Sequence, residues 1–248
     1  MGHTLENKIA VVTGGSSGIG LAIAKHLIAE GAQVIITGRT QTTLTKAVEA
    51  LGEKAQGIVA DVRSVDSLES LYESVRRTCG RIDVLVANAG GGIHAPLGQI
   101  QEKHIDEQFA TNVKGVVFTL QQALPLLGKG ASVVIVGSTA SVDPGANMSI
   151  YGATKAAVRN MVRSWVAELH GSGIRINIVS PGPTNTTSLR DAFGEHAEEG
   201  LKFLTAKSPL GRIGEPEEIA AVAAFLASDA SSYVNGIELF ADGGASQT

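Results

Sequence analysis

Residues 9–20 read IAVVTGGSSGIG, an apolar run that passes directly into a turn with four glycines. The stretch 21–30 follows with apolar residues at helical spacing, so the order is strand, glycine turn and helix. Glycine has no Cβ, so Gly14, Gly18 and Gly20 let the backbone turn sharply and let a pyrophosphate approach the helix N-terminus. Gly-rich connections also occur in α/β proteins for packing alone. The segment therefore indicates a nucleotide-binding unit only if the rest of the chain agrees.

Six further apolar, β-branched runs alternate with stretches of helical period along the chain. This alternation is typical of repeated βαβ units, and no linker-like composition interrupts it. It predicts a single α/β domain of the Rossmann type over residues 1–248, a doubly wound, seven-stranded parallel sheet with helices on both faces. The expected strands are 9–13, 34–37, 57–60, 84–87, 133–136, 174–179 and 237–240.

Residues 181–216 break this rhythm, because prolines and glycines stand at both ends and polar residues fill most of the interior. A connection of this length in a compact domain is usually functional or disordered. Apolar residues within it, among them Leu201 and Phe203, favour short helices that form a substrate lid at 184–214. A plain surface excursion is the alternative.

Composition and charge exclude several classes of protein. The 248 residues carry a formal net charge of −4, and no run of Lys or Arg offers a basic surface to nucleic acid. The single cysteine, Cys79, cannot form an internal disulfide, and the six histidines are scattered without zinc-ligand spacing. No stretch approaches the roughly 18 apolar residues of a membrane span, and the N-terminus lacks a signal-peptide pattern. We expect a cytoplasmic protein that binds no metal, nucleic acid or membrane.

Residues 151–155 read YGATK and open a stretch of helical period. Side chains four residues apart share one face of a helix, so Tyr151 and Lys155 are expected one turn apart. A nearby cation stabilises a phenolate, which suits a tyrosine that gives and takes a proton. An isolated Tyr-x-x-x-Lys more often means a half-buried Tyr beside a solvated Lys on an ordinary helix.

Ser138 follows the predicted strand 133–136, at the carboxyl edge where ligands gather in open α/β sheets. Its hydroxyl can donate a hydrogen bond to a substrate oxygen on which negative charge develops. Thr139 and Ser141 are neighbouring hydroxyls that could be confused with it, and a serine can also merely close a strand.

Together these segments resemble the short-chain dehydrogenase/reductase family, whose glycine spacing is Gly-x-x-x-Gly-x-Gly. Each short motif is common by chance, whereas their joint order over nearly the whole chain is specific. The resemblance implies a nicotinamide cofactor and hydride transfer between that cofactor and a carbonyl or alcohol carbon. The other matching segments are Asp61-Val62, Asn88-Ala89-Gly90, Asn112, Ser138, Tyr151 with Lys155, and Pro181-Gly182 with Thr186.

The resemblance also implies a role for each matched residue. Tyr151 is expected to exchange the proton, Ser138 to hold the substrate oxygen, and Lys155 to bind the nicotinamide ribose. Asn112 is expected to hold a water that connects Lys155 to solvent, although its place at the start of a predicted helix also suits an ordinary N-cap. The residues expected to contact the cofactor are Gly14, Ser16, Ser17, Gly18, Ile19, Gly20, Arg39, Thr40, Asp61, Val62, Asn88, Ala89, Gly90, Tyr151, Lys155, Pro181, Gly182, Thr184 and Thr186.

The residues that follow the second and third predicted strands are expected to contact the adenosine end of the cofactor. Asp61 is expected beside the adenine, although an Asp after a strand is also a common turn residue. By resemblance, NAD-specific members carry an Asp at the end of the second strand, where this chain has Gly38. Arg39 follows, and its planar guanidinium suits a phosphate, with Ser17 and Thr40 as further donors. NADPH is therefore expected to be favoured over NADH, unless Arg39 is simply a solvated loop residue.

Two other functions stay open at this point. The same Ser/Tyr/Lys set serves epimerases and dehydratases that use a bound nicotinamide transiently, although those relatives are generally longer. A cofactor-binding regulator would normally have lost the Tyr or the Lys. The resemblance also implies a homotetramer, and small residues such as Gly152 and Ala153 on the predicted helix permit close helix contacts, either between subunits or within one. The substrate itself is not specified.

Overall fold

The computed structural model describes residues 4–246. Its strands are β1 Ile9–Val12, β2 Gln33–Gly38, β3 Ala55–Val59, β4 Ile82–Ala87, β5 Leu127–Val136, β6 Arg175–Pro181 and β7 Glu238–Ala241. All seven pair in parallel in one sheet, in the order β3-β2-β1-β4-β5-β6-β7. The order reverses direction between β1 and β4, which creates the crevice where such sheets bind nucleotides. The predicted fold class is confirmed.

Helices cover both faces of this sheet. Their bounds are α1 Gly18–Ala29, α2 Gln41–Leu51, α3 Val65–Thr78, α4 Glu102–Phe109, α5 Gly115–Ala123, α6 Ser149–Glu168, α7 Thr187–Phe193, α8 Ala197–Lys207 and α9 Pro216–Ala227. Within residues 4–246, no helix is both long enough and apolar enough to cross a bilayer.

Alternate residues of β1 enter two separate cores. Ile9 and Val11 pack beneath α3, α5 and α6, whereas Ala10 and Val12 pack beneath α1, α2 and α9. Side chains of a strand point alternately to opposite faces, and both faces here are covered, so β1 is apolar throughout. Burial of each large aliphatic side chain contributes about 1.5–3 kcal/mol, which fixes the sheet on which the site is built.

Strand β5 begins six residues before its predicted start at Val133. Its first residues include Gly128, Lys129 and Gly130, which conceal the strand pattern in the sequence. The β4–β5 register also shifts between Ile82 and Val84, so the early part of β5 pairs irregularly. The carboxyl ends of the strands, which carry the site residues, agree with the prediction within two residues.

Residues 184–214 leave the sheet and return at a single point. Thr184 and Gly214 form a parallel bridge, and the Asn185 amide donates to the Gly214 carbonyl at 2.8 Å. Between these ends lie α7 and α8, where the Phe193 ring packs so closely on Gly200 that no Cβ would fit there. This segment therefore contains the predicted short helices, and its two ends are hydrogen-bonded to each other. Its action as a lid stays a prediction.

Candidate active site

Helix α6 brings the tyrosine and lysine together at the carboxyl edge of the sheet. The Lys155 Nζ lies 5.8 Å from the centre of the Tyr151 ring. Lys155 is 7% exposed and donates to the Val136 carbonyl at 2.9 Å, which ties α6 to the end of β5. Burial of an ammonium is costly unless it is hydrogen-bonded, so this contact holds a cation close to the phenol. The arrangement is not the solvated lysine of an ordinary helix.

Two of the three hydroxyls after β5, those of Ser138 and Ser141, have different surroundings. Ser138 is half-buried, and its Oγ accepts from the Ala140 amide at 3.2 Å, which leaves its own proton to donate. Ser141 is buried and donates instead to Glu238 on β7 at 2.6 Å. Ser138 is therefore better placed than Ser141 for a substrate oxygen.

Gly152 packs α6 against the turn that follows Ser138. A Cβ at Gly152 would lie 2.8 Å from the Ala140 carbonyl oxygen and 2.8 Å from the Pro144 Cβ. This small residue thus serves a contact within the subunit, which was one of the two interpretations of the sequence. Ala153 is exposed on the same helix.

Asn112 does not begin a helix, contrary to the sequence prediction. It lies inside a π-helical turn, Ala110–Lys114, because α4 already begins at Glu102 and continues through this turn into α5. Such single π-turns are frequent at functional sites. The buried Asn112 amide exchanges two hydrogen bonds with the Gly91 backbone, at 2.8 and 3.1 Å, and donates to the Thr154 hydroxyl at 3.1 Å. It therefore links the loop after β4 to α6, and Thr154 was not anticipated.

The glycine turn has the backbone that its sequence predicts. Gly14 and Gly18 have positive φ angles of 64° and 52°, which side chains rarely permit. A Cβ on Gly14 would lie 2.9 Å from the Ala89 Cα, and one on Gly20 would overlap the Gly14 carbonyl. Ser17 stands exposed as the N-cap of α1, and Ile19 is half-buried behind it. The turn into α1 therefore depends on glycine at these positions.

Asn88 fastens the glycine turn to the end of β4. Its Nδ2 donates to the Thr13 and Gly14 carbonyls at 2.9 and 3.0 Å. In return, the buried Thr13 hydroxyl accepts from the Asn88 and Ala89 amides, each at 3.1 Å. The sequence predicted Asn88 and its neighbours, including the exposed Gly90, only as a cofactor lining. The part played by Thr13 was missed because its partner is 75 residues away.

The ends of β2 and β3 carry two arginines, one of them in an ion pair that the sequence analysis did not anticipate. Arg39 is exposed, and Arg63 forms a bidentate pair with Asp61 whose shortest distance is 2.6 Å. The hydrogen bond from the Arg63 side chain, with a smaller contribution from the charge of Arg39, holds the pKa of Asp61 below its usual range. Arg63 was not predicted, although it lies only two residues from Asp61. Ser16 lies close enough to Gly38 that a Cβ there would be 2.9 Å from the Ser16 Oγ.

Two other predicted cofactor residues have mainly structural contacts here. The buried Val62 packs against Gly115, where a Cβ would lie 2.9 Å from the Val62 Cγ2. Thr40 is exposed at the N-cap of α2, and its carbonyl accepts from the Thr43 hydroxyl at 2.9 Å.

The segment from the end of β6 to the start of α7 approaches the glycine turn at Thr186. Pro181 is buried, and Gly182 packs against Asp242, since a Cβ would lie 2.7 Å from the Asp242 Cβ. The Thr184 hydroxyl donates to the Gly182 carbonyl at 2.9 Å. Thr186 caps α7 by accepting from the Leu189 amide at 3.2 Å, and its methyl group faces Gly18. Whether these residues contact the cofactor stays a prediction.

Strand order, crossing point and glycine turn define a doubly wound protein of the dinucleotide-binding class. Among residues 4–246, no three His, Cys, Asp or Glu side chains are grouped to hold a metal ion. The chain belongs to the short-chain dehydrogenase/reductase family, because the family model described as Enoyl-(Acyl carrier protein) reductase matches residues 14–246.

Named relatives agree with this assignment over the full length. The chain is 44% identical over 245 residues to Oxidoreductase asL5 of Sarocladium schorii, covering 98% of this chain and 97% of that protein. It is 38% identical over 245 residues to the 3-oxoacyl-[acyl-carrier-protein] reductase FabG of Thermotoga maritima, covering 97% and 98%. The crystal structure of gox2181 superposes with a TM-score of 0.91 at 32% identity, covering 99% and 98%. The protein is an oxidoreductase of CH–OH and C=O groups that uses a nicotinamide cofactor.

Proposed function

We propose that the protein transfers a hydride between NADPH and a carbonyl or secondary alcohol carbon, with Tyr151 as general acid/base. The observation that carries this proposal is the buried Lys155 ammonium, 5.8 Å from the Tyr151 ring and tied to β5 at 2.9 Å. A fixed cation at this distance stabilises the phenolate that forms when the phenol gives up its proton.

The residues of the crevice fit a nicotinamide dinucleotide. The N-terminus of α1, entered through Gly14 and Gly18, suits the pyrophosphate because the first amide N–H groups of a helix have no partner within it. The Val136 carbonyl takes one of the three Lys155 N–H donors, and the others suit ribose hydroxyls. When bound, the cofactor supplies the hydride.

Proton transfer is the work of the protein side chains. In reduction, Ser138 and Tyr151 both donate hydrogen bonds to the substrate oxygen, and Tyr151 passes its proton to that oxygen as negative charge develops. Lys155 stabilises the phenolate that remains. Asn112 holds the loop after β4 against α6 and, by family resemblance, a water that returns a proton towards Lys155. Oxidation of an alcohol is the same sequence in reverse.

The preference for NADPH is supported by the adenosine end of the crevice. Gly38 offers no carboxylate to repel a phosphate, and Arg39 is exposed beside it. A charge-assisted hydrogen bond contributes about 1.5–3 kcal/mol, so kcat/KM should favour NADPH by at least about tenfold. Equal use of NADH would contradict this part of the proposal.

The test is the loss of reduced-cofactor absorbance with a panel of ketones, aldehydes, sugars and acyl thioesters. A dehydrogenase consumes the cofactor in proportion to substrate. An epimerase, a dehydratase or a cofactor-binding regulator would show no net consumption, and that result with every member of the panel would overturn the proposal.

A homotetramer in the cytoplasm belongs to the same proposal. Ile105 and Phe109, 39% and 38% exposed on α4, support association because they leave apolar surface uncovered on one face of the subunit. Light scattering should give about four times the subunit mass of 25.5 kDa. A mass near that of one subunit would contradict the assembly, and recovery of the protein in the membrane fraction would contradict the location.

A further inference from the structure

Glu238 is a buried carboxylate at the start of β7 that none of the proposed catalytic steps uses. Its side chain is 8% exposed. One carboxylate oxygen, Oε1, accepts from the Ser141 hydroxyl at 2.6 Å and from the Ser180 hydroxyl at 2.7 Å. The other, Oε2, lies 2.6 Å from the Arg159 Nε, an ion pair by distance although the N–H is not aligned with it. A buried charge is retained at a cost unless such partners compensate it.

The three partners of Glu238 belong to the three segments that carry the proposed site. Ser141 closes the short turn that begins at Ser138, through its own amide, which donates to the Ser138 carbonyl at 3.0 Å. Arg159 lies on α6 one turn after Lys155 and two turns after Tyr151, so the three residues share one stripe of the helix.

Ser180 is the third partner and directly precedes Pro181 at the end of β6. Its link to Glu238 ties the end of β6 to the other two segments. One carboxylate group therefore connects the turn after β5, helix α6 and strand β6.

We propose that Glu238 is a positioning residue that fixes the Ser138 hydroxyl relative to the Tyr151 hydroxyl. This inference rests on the proposed function, in which both hydroxyls contact one substrate oxygen. Each contact requires a separation of about 3 Å, and a displacement of about 1 Å can cost about a hundredfold in rate. A turn held at Ser141 has less freedom to make such a displacement.

Two substitutions separate the arms of this network. Ser141→Ala removes the link to the turn and leaves the ion pair with Arg159. Glu238→Gln keeps an acceptor for the serines but places an amide where the guanidinium needs a carboxylate. Either substitution disconnects the turn from α6, so the double variant should lose about as much activity as the more impaired of the two single variants.

Ser132→Ala is the matched control for lost stability. Ser132 is a buried serine on the same strand, β5, and its hydroxyl donates to the Leu226 carbonyl at 2.8 Å, away from the turn.

The experiment measures NADPH oxidation with 2,3-butanedione, an activated diketone, together with the melting temperature and hydrogen exchange at the Ser141 and Val142 amides. We expect Ser141→Ala to lower kcat about tenfold or more, to leave the KM for NADPH within about twofold, and to speed exchange in the turn. Ser141→Ala and Ser132→Ala should lower the melting temperature by similar amounts. The kcat of Ser132→Ala should nevertheless stay within about twofold of wild type.

Equal losses of kcat in Ser141→Ala and Ser132→Ala would overturn the proposal, and so would unchanged exchange in the turn of Ser141→Ala. Tyr151→Phe is assayed beside them. If Tyr151→Phe kept the wild-type kcat, the proposed function would fail, whatever the Glu238 network does, so the two failures are distinguishable.

Discussion

Replacement of Asn88 by alanine tests how the glycine turn is held in place. The Asn88 amide joins this turn to the end of β4 through bonds of 2.9 and 3.0 Å to the Thr13 and Gly14 carbonyls. Asn88→Ala removes both bonds and leaves the backbone bonds of the Thr13 hydroxyl intact. The change is therefore confined to the position of the turn.

The expected cost follows from these two bonds. Each intramolecular hydrogen bond contributes about 0.5–1.5 kcal/mol net, and more where a buried carbonyl is left without a partner. Asn88→Ala should therefore lower the free energy of unfolding by about 2–3 kcal/mol. NADPH should also bind more weakly, because the turn that receives the pyrophosphate is no longer fixed before binding.

Urea denaturation measures the first effect, and quenching of Trp165 fluorescence by NADPH measures the second. Asn160→Ala is the matched control, since Asn160 is exposed on α6 and has no hydrogen bond through its side chain within residues 4–246. If Asn88→Ala were as stable as Asn160→Ala and bound NADPH equally well, the role assigned to Asn88 would be wrong.

Two further predictions concern the adenosine end of the crevice. Arg39→Ala should reduce the ratio of kcat/KM for NADPH over NADH to about one, and an unchanged ratio would refute the phosphate contact. Gly38→Asp should reverse the preference, with the Ser16 side chain rotating to make room for the new carboxylate. The Arg63 guanidinium holds the pKa of Asp61 below its usual range, so stability from this pair is complete above that range and is lost as the pH falls through the lowered pKa. Arg63→Ala should therefore reduce the loss of unfolding free energy at acid pH, by less than about 1 kcal/mol because the pair is partly exposed. Identical dependence of stability on pH in the variant and the wild type would contradict this.

The sheet could be predicted from the sequence because its strands are buried on both faces. Runs such as residues 9–12 are apolar at every position, which is typical of a strand buried on both faces of a parallel sheet. The start of β5 could not be predicted, because Gly128 and Gly130 lack side chains and Lys129 is exposed. Such a segment pairs through its backbone alone.

The sequence predicted the pairing of Tyr151 with Lys155 but not the links between distant segments. The four-residue spacing of Tyr151 and Lys155 places both on one helix face, and the structure brings them together. The π-helical turn at Asn112 gives no sequence signal because the helical pattern runs through it. The link from Ser141 to Glu238 spans 97 residues and depends on where β7 joins the sheet.

Tyr151→Phe tests the central claim most directly, because it removes the phenolic proton and almost no volume. The measurement is kcat for NADPH oxidation, beside the Kd for NADPH. We predict that kcat falls by far more than tenfold, a barrier increase above about 1.4 kcal/mol, while the Kd stays within about twofold. A variant that retained more than about a tenth of the wild-type kcat would show that Tyr151 is not the general acid/base.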